Sequence, residues 1–548
     1  MEQFYKELIK ELIKRKIDNI DDALKLRREL CRKYNPNIFP SIIQILSYAT
    51  DKEFEKLKFL VSKPTRTISG VTPVAIMTNP SKCPHGKCIM CPGGVDSYFG
   101  DIPQSYTGKE PATMRGVRNF FDSYLQVFNR LEQYVLLNQN LEKVELIIMG
   151  GTFPARSIEY QDDFVMYAFK AMNDFSEMFF VDGKLNFKKF KEFFELPTTS
   201  LNDERTKQIQ KKVLKLKGKG SLVKEQKRNE KAKVRCVGLT IETRPDYGGL
   251  VEGNQMLKLG CTRVELGIQS VSDRVLKKIN RGHSVNDSVK SMQVLKDLGF
   301  KINAHMMIGL PGDKNNLMKV FKKDFRPDML KIYPCMVMPG TELEEMYKKG
   351  KFKPMTTEKA VKIIAKFKTK VPEYVRIMRV QRDIPTKHSV AGIDRTNLRQ
   401  MIHNYMLKKN MRCNCIRCNE IKSQIKDPEL KVIEYNASKG KEFYIVYIIG
   451  KEVIGFCRLR FPSKSLRDEI TKDSGIVREL HVYGQAIGVG QDGEVQHKGF
   501  GKKLMDKAEE ISIKNKKKKL LVISGIGVKA YYYKLGYKED GPYVSKTF

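Results

Sequence analysis

Between residues 64 and 385 the chain alternates short apolar runs with stretches of helical periodicity. Runs at 72–77, 143–149, 234–241, 263–268, 301–308 and 329–335 predict strands, and segments 156–172, 284–298 and 341–349 carry a helical repeat. Strand–helix alternation predicts a parallel sheet, and about six such units predict a full or partial α/β barrel. From residue 430 the pattern changes. Runs at 443–449, 452–461 and 475–484 predict an antiparallel series, followed by a helix over 502–514 and a strand at 520–524, an α+β arrangement. Residues 1–60 predict short amphipathic helices: Leu8, Ile9, Leu12 and Ile13 repeat at helical spacing, and Asp21 and Asp22 are candidate caps for a helix over 21–33. A helix starting near Ala112 carries a stripe of Val117, Phe120, Phe121, Tyr124, Phe128, Leu131 and Val135. Segment 201–233 is lysine-rich and almost without aromatics, which predicts an extended or mobile insertion. The pattern divides the chain into a basic helical region (1–63), a barrel domain with its insertion (64–390), a cysteine-rich linker (391–429) and a terminal α+β domain (430–548).

Composition adds a partner. The 548 residues exceed a single core, and 41% hydrophobic content suffices to bury more than one. Lys+Arg 101 against Asp+Glu 63 leaves a net charge of +38. That excess points to a polyanion, nucleic acid first and an anionic membrane second. A lysine surface of a heat-adapted protein is the alternative, but such surfaces carry balancing glutamate. The N-terminal MEQFYKELIKELIKRK has charges throughout and no apolar core, and no apolar run reaches the roughly 18 residues of a membrane span. A cytosolic location is expected.

Six of the eleven cysteines fall in two tight triplets, which favours metal sites in a reducing compartment over a disulfide framework. Cys83, Cys88 and Cys91 stand at C-x4-C-x2-C spacing in one loop. Three thiolates leave one iron of a four-iron cluster without a protein ligand, and an open coordination position suits a reactive site. A zinc knuckle is the alternative, with His85 too close to Cys83 to serve easily as fourth ligand. Cys413, Cys415 and Cys418 stand closer, at C-x-C-x2-C. This triplet reads as a zinc staple, with His403 a weak candidate for the fourth ligand; inert thiols or a second cluster are the alternatives.

Polar residues follow several of the expected strands, where such barrels place their sites. Gly150-Gly151-Thr152 follows LIIM and could let backbone approach a ligand closely. Glu242, Arg244 and Gln269 could hydrogen-bond a ribose, carboxylate or purine. Tyr106, Lys109, Arg115 and Arg118 follow the cysteine loop, a combination that can hold phosphates and stack a base. Arg376, Arg379 and Arg382, with Arg395 and Arg399, form a basic seam where the domains join. In the last domain, Gln496-His497-Lys498-Gly499-Phe500-Gly501 precedes a helix, so backbone N–H groups bared by glycine could bind a pyrophosphate. Glu479 on a central strand is a candidate base, and a hydroxyl of the tyrosine run a candidate acid.

These strings resemble the radical S-adenosylmethionine (SAM) and GCN5-related N-acetyltransferase (GNAT) families, joined as in the catalytic subunit of Elongator. The resemblance rests on QSYTGKEPATMR (104–115), MGGTF (149–153), GLTIETRPD (238–246), RVELGIQS (263–270), VRELHVYG (477–484), QHKGFGKKLM (496–505) and YYYKLGY (531–537). The short gap between the first two cysteines, against a longer one in eukaryotic members, is similar to archaeal or bacterial types. The resemblance implies a 4Fe–4S cluster on Cys83, Cys88 and Cys91, with SAM beside Gly150, Gly151, Thr152, Glu242, Arg244 and Gln269. It implies acetyl-CoA held by Glu479, Leu480, His481, Val482, the 496–501 turn, Tyr532 and Tyr533, with Glu479, Tyr532 and Tyr533 in catalytic roles. The implied reaction joins the acetyl methyl carbon to C5 of a tRNA wobble uridine, giving 5-carboxymethyluridine. The implied partners are tRNA, acetyl-CoA, an electron donor, and either a second copy or other Elongator subunits. Protein lysine acetylation, and a tRNA-binding scaffold with a structural cluster, are the competing readings.

Overall fold

The computed structural model describes residues 2–36, 39–60, 70–197, 203–314, 316–422, 425, 427–483 and 499–548. The chain forms two compact units: residues 1–74, 122–145 and 163–237, and residues 75–121, 146–162 and 238–548.

The first unit is helical. Helices span Glu2–Lys14, Ile20–Tyr34, Ile42–Tyr48 and Asp51–Lys56. Phe4, Tyr5, Leu8, Ile9 and Leu12 turn inward, so this apolar stripe is a packing surface. The cap of the second helix is Asn19, whose side chain accepts from the Asp22 N–H. Asp21 and Asp22 instead occupy the first turn, where carboxylates meet the positive helix end. Ser41 and Thr50 open the next two helices with reciprocal bonds to Gln44 and Glu53. Phe54 stacks on Phe187 at 4.1 Å between centroids, and Lys191 Nζ donates to the Ala49 carbonyl at 2.6 Å.

Two expectations fail here. The segment 201–233 is no extended loop over its described part: helices span Asp203–Lys217 and Leu222–Asn229. Ile209 and Val213, four residues apart, are buried, and this narrow apolar edge packs the first helix. Arg228 pairs with Asp174 at 2.9 Å and Glu225 at 2.7 Å, and Asn229 holds Val234 and Asn173. The stripe beginning near Ala112 is also broken, into helices Pro111–Arg118 and Ser123–Leu136. Asn119 folds its amide back onto the Arg115 carbonyl, Phe120 and Phe121 take positive φ, and Asp122 caps the second helix. Only Tyr124, Phe128, Leu131 and Val135 of the stripe are buried; Val117 and Phe120 are exposed.

The barrel sheet has seven strands in chain order: β1 (Thr72–Met77), β2 (Lys143–Met149), β3 (Arg235–Thr243), β4 (Cys261–Gln269), β5 (Lys301–Ile308), β6 (Met329–Pro334) and β7 (Arg376–Arg379). Strands β3 to β7 pair in parallel. The seventh, RIMR, lies inside the segment read as a domain junction; four residues with charged ends carry no strand pattern. In β4, β5 and β6 one face is apolar: Val264, Leu266, Ile268, Ile302, Ala304, Ile308, Leu330 and Ile332 are buried. Most alternate positions are polar, and include Glu265, Asn303, His305, Lys331 and Tyr333. A strand buried under apolar layers on both sides would read apolar throughout. This alternation gives the barrel a polar inner side.

The second sheet also lies in the second unit. Its order is β8 (Glu429–Ala437), β9 (Gly440–Ile449), β10 (Glu452–Phe461), β11 (Ser474–Val482), β12 (Lys519–Val522), β14 (Tyr543–Thr547) and β13 (Lys538–Asp540). Strands β8 to β11 are antiparallel. Strand β11 pairs in parallel with β12 over Ser474–Val477, and its last part to Val482 has no strand partner on that side among the described residues. The helix Phe500–Lys514 packs Leu504, Met505, Ala508 and Ile511 into the core beneath.

An ion network joins the two sheets. Arg478 of β11 donates to both oxygens of Asp328 at the base of β6, at 2.8 and 2.6 Å. Arg460 of β10 holds Asp297 at 2.5 Å and Glu442 of β9 at 2.8 Å. Lys296 lies 3.6 Å from Glu442, and Arg458 donates to Glu479 at 2.8 Å. Four cations (Lys296, Arg458, Arg460, Arg478) thus meet four carboxylates (Asp297, Asp328, Glu442, Glu479). Charges this buried persist only when paired.

Candidate active sites

The cysteine loop follows β1. Cys88 is buried, and Cys83 and Cys91 are half-buried. His85 lies between two of them, Nδ1 at 3.0 Å from Cys83 Sγ and Nε2 at 3.2 Å from Cys88 Sγ. Burial, with Arg244 and Arg281 nearby, lowers its pKa to about 4, so the imidazole is neutral. The Ser105 N–H points at Cys91 Sγ at 3.3 Å, and Arg281 Nη1 at Cys88 Sγ at 3.7 Å. A thiol is a weak acceptor, so a cation and an amide aimed at these sulfurs suit thiolate ligands.

The residues expected beside SAM converge here. Gly150 and Gly151 have φ of 122° and 96°, and a Cβ on Gly151 would stand 2.8 Å from Gln104 Oε1. Thr152 lines the same cleft as Cys83, Gln104 and Arg156. Gln269 ends β4 at φ 65°, a strained conformation for a non-glycine residue. Arg281 donates to the Gly267 carbonyl at 2.6 Å, which ties the cluster loop to β4. Arg244 pairs with Asp246, and its Nη1 has no partner among the described residues; nor do Nε of Arg281 and Nε2 of His283. His283 Nδ1 donates to the Ser284 carbonyl at 3.1 Å, so its Nε2 is an acceptor; two buried guanidinium donors and one buried acceptor without partners mark a place for a polar ligand. Arg281 and His283 lie in no motif that sequence reasoning singled out; the Arg-Gly-His string is too short to signal.

The basic residues divide. Lys109, Arg118 and Arg379 are exposed. Arg115 is buried with its guanidinium on the Ala75 carbonyl at 2.6 Å, so the expected phosphate contact is a structural one. Arg376 is likewise engaged inside, with Glu420 and with the Tyr483 hydroxyl at 2.5 Å. Arg382 reaches the Ser105 carbonyl and lies over the Tyr106 ring. Tyr106 is no exposed stacking platform: it is buried, and its hydroxyl donates to Glu242 Oε2 at 2.9 Å. Arg115 and Tyr106 were misread because proximity to a loop in sequence does not say which way a side chain points.

In the linker, the sulfurs of Cys413, Cys415 and Cys418 lie within 4.8 Å of one another. Tetrahedral ligation at about 2.3 Å spaces sulfurs by about 3.8 Å, so this triad suits a single ion. Lys368 Nζ stands 3.3 Å from Cys418 Sγ, where it stabilises thiolate charge. His403 is not part of the cluster.

In the terminal domain, Glu479, Leu480, His481 and Val482 occupy the part of β11 beyond its pairing with β12. Burial alone would raise the Glu479 carboxyl, but Arg458, with Lys301 and His481, holds it below the ordinary range. Gln496, His497 and Lys498 lie outside the described residues. Gly499 takes φ 74° as the cap of the helix Phe500–Lys514. A Cβ on Gly501 would stand 2.9 Å from the Tyr531 hydroxyl. Tyr532 belongs to the domain core and Tyr533 packs against it. The hydroxyl beside Gly501 is that of Tyr531, one position before Tyr532 and two before Tyr533; a run of three tyrosines gives no sequence cue to which one faces the turn.

Family models match along the chain: the ELP3 N-terminal domain at 1–68, the radical SAM superfamily at 80–323, the Radical_SAM C-terminal domain at 327–408 and the acetyltransferase (GNAT) family at 412–537. The tRNA uridine(34) acetyltransferase of Methanocaldococcus infernus is 46% identical over 98% of this chain and 96% of its own length. The chain belongs to the Elp3 family. A second archaeal member, the tRNA uridine(34) acetyltransferase of Methanocaldococcus jannaschii, is 47% identical over 92% of this chain and 90% of its own. The Elongator complex protein 3 of Saccharomyces cerevisiae is 37% identical over 94% and 90%. The solved M. infernus Elp3 lacking residues 1–46 of its N-terminus superposes with a TM-score of 0.71 at 40% identity, covering 88% of this chain and all of that one. For an Elp3-family chain, the radical SAM match implies a 4Fe–4S cluster and SAM, and the GNAT match implies acetyl-CoA. No described helix is long and apolar enough to cross a membrane.

Proposed function

We propose that this protein modifies the wobble uridine of tRNA, using a carbon unit from acetyl-CoA to give 5-carboxymethyluridine. The full-length likeness to archaeal tRNA uridine(34) acetyltransferases carries the reading. The net charge of +38 supports a phosphate-rich substrate. Cys83, Cys88 and Cys91 would hold the cluster, and Gly150, Gly151, Thr152, Glu242, Arg244 and Gln269 would hold SAM. Bound there, cluster and SAM would supply radical chemistry able to take a hydrogen from the acetyl methyl group. The protein positions the substrates: the glycines admit close backbone approach, and Arg244 offers a donor and His283 Nε2 an acceptor to polar atoms of SAM. Lys109, Arg118, Arg379 and Arg382, with the basic N-terminal region 1–63, would contact phosphates. Cys413, Cys415 and Cys418 would bind a structural zinc. An external electron donor completes the system, and a cytosolic location fits its substrate.

On the acetyl-CoA side, Glu479 to Val482 would pair with the pantetheine, and Gly499 to Gly501 with the 496–498 segment would take the pyrophosphate. Tyr531 would protonate the leaving thiolate, and Glu479, already ionised, would orient water. Tyr531→Phe is expected to lower tRNA-dependent acetyl-CoA hydrolysis by about 10²–10⁴-fold, the usual worth of a general acid. Tyr532→Phe should lower it far less; the reverse order would return the role to Tyr532.

The reading itself is tested by mass analysis of tRNA nucleosides after anaerobic incubation of cluster-loaded protein with SAM, acetyl-CoA and reductant. 5-Carboxymethyluridine is expected. Formation of 5′-deoxyadenosine with unmodified tRNA would overturn the assignment.

A further inference from the structure

Arg376 belongs to a barrel strand, β7, yet its charged partners lie outside the barrel. Its Nη1 donates to the Glu420 carboxylate and to the Tyr483 hydroxyl, the latter at 2.5 Å. The guanidinium also stands 5.5 Å from the centre of the Tyr483 ring. Glu420 is held on both flanks. The Ile421 N–H donates to the Val453 carbonyl at 3.1 Å, and the Val453 N–H to the Asn419 carbonyl at 2.6 Å. The linker is thereby bonded to β10. The Ile416 N–H, 3.0 Å from the Val375 carbonyl, bonds it also to the residue before β7. Arg376, Glu420 and Tyr483 form a clasp between barrel strand, linker and β11.

Tyr483 directly follows Glu479–Val482, the stretch of β11 with no strand partner on the β12 side among the described residues. On the other side β10 holds this stretch. Phe456 pairs with His481 and Gly455 with Val482, and the Tyr483 N–H donates to the Ile454 carbonyl at 2.7 Å. A Cβ on Gly455 would stand 2.9 Å from the His481 carbonyl oxygen, so the two strands run close here. His481 and Tyr483, two residues apart, share one face. Their ring centroids are 4.4 Å apart, and that of Phe456 lies 5.9 Å from His481. This row of rings ends at Arg376. An open strand edge takes a ligand by main-chain hydrogen bonds, which weaken steeply with distance and angle. The edge must therefore be held by the rest of its surroundings, and the clasp fixes the residue that ends it.

We propose that Arg376 is a positioning residue for acetyl-CoA: by fixing Tyr483 it keeps the Glu479–Val482 edge in place for the amides of the pantetheine arm. The inference rests on the acetyl-CoA reading of this edge and adds to it a residue of the barrel. Arg376 acts through Tyr483 and does not touch the ligand. Glu420 neutralises the guanidinium and, by sharing its Nη1, fixes its aim. Charge balance alone would be served by Glu420, and the Tyr483 hydroxyl adds nothing to that balance. What the hydroxyl gains is a charge-assisted bond, stronger than a neutral one.

Full-length protein is titrated calorimetrically with S-ethyl-CoA, a thioether that keeps the pantetheine amides and the pyrophosphate and cannot be hydrolysed. Wild type is expected to bind. Tyr483→Phe keeps the row of rings, removes the bond and should weaken binding severalfold. Arg376→Gln should weaken it by about tenfold, the scale of one hydrogen bond to a charged group. The double variant should be no weaker than Arg376→Gln alone, since both changes break the same bond. In the proposed acetyl-CoA hydrolysis each variant should raise KM with kcat kept, because the groups at the thioester are untouched. Wild-type affinity in Tyr483→Phe, whatever its thermal midpoint, would overturn the proposal and leave the acetyl-CoA reading standing. That variant decides alone where Arg376→Gln does not fold. Losses that add in the double variant would overturn the proposal too. No binding by wild type would overturn the acetyl-CoA reading of the edge, and the proposal with it.

Discussion

Replacing Asp328 by alanine is expected to lower the stability of the unit holding barrel and acetyltransferase sheet by about 3–5 kcal/mol, the usual loss when one partner of a buried ion pair is removed. Asp328 accepts two bonds from Arg478 and one from the Ile302 N–H at 2.9 Å. Without it, Arg478 keeps Glu442 and the Phe300 carbonyl, but one guanidinium edge is left buried and unpaired. A denaturant midpoint shows the loss directly. An unchanged midpoint would mean that Arg478 finds other partners at little cost. The loss should also depend on pH. Burial would raise the carboxyls of Asp328 and Glu442, but Arg478 and Lys296 hold both below their ordinary values. Their contribution is therefore complete above the unfolded carboxylate range, about pH 4, and disappears as pH falls through the depressed folded values. Wild type and variant should differ fully at neutral pH and converge only in strong acid.

This network was not legible in the sequence. Arg458, Arg460 and Arg478 sit in strands that read as alternating or apolar, and Asp297 and Asp328 look like a helix end and a strand start. Their meeting depends on how the two sheets pack, which no local pattern encodes. What was legible was local. Six barrel strands fell within a few residues of their expected limits, because alternation of strand and helix runs through the whole segment. Cys83, Cys88 and Cys91 could be singled out because ligand spacing within one loop is itself the signal, although the spacing does not show His85 standing between two of their sulfurs. Side-chain direction was not legible. Arg115 and Tyr106 were expected to face phosphate or base and are engaged inside, and Tyr531 rather than its neighbours faces the glycine turn. The helix break at Phe120–Asp122 was available in principle, since Asp122 caps the second helix, but a continuous apolar stripe hid it.

The two cysteine triplets should separate cleanly on substitution. Cys88→Ala removes the ligand that Arg281 faces and is expected to abolish bound iron and 5′-deoxyadenosine formation, leaving zinc content near one per chain. Cys418→Ser should do the reverse. It leaves the loop at Cys83–Cys91 intact, so iron should remain, while zinc falls because the compact triad loses one of its three sulfurs. Metal analysis of anaerobically purified protein distinguishes the two. The functional consequence differs as well. Removing the cluster ligand should eliminate the proposed wobble-uridine modification while salt-dependent tRNA binding persists, because the proposed phosphate contacts do not involve the cysteines. Loss of RNA binding in the Cys88 variant would instead favour a structural cluster and a scaffold role. Loss of both metals in either variant would mean that the triplets do not bind independently. The division into a reactive centre with an open iron and a closed structural site would then be wrong.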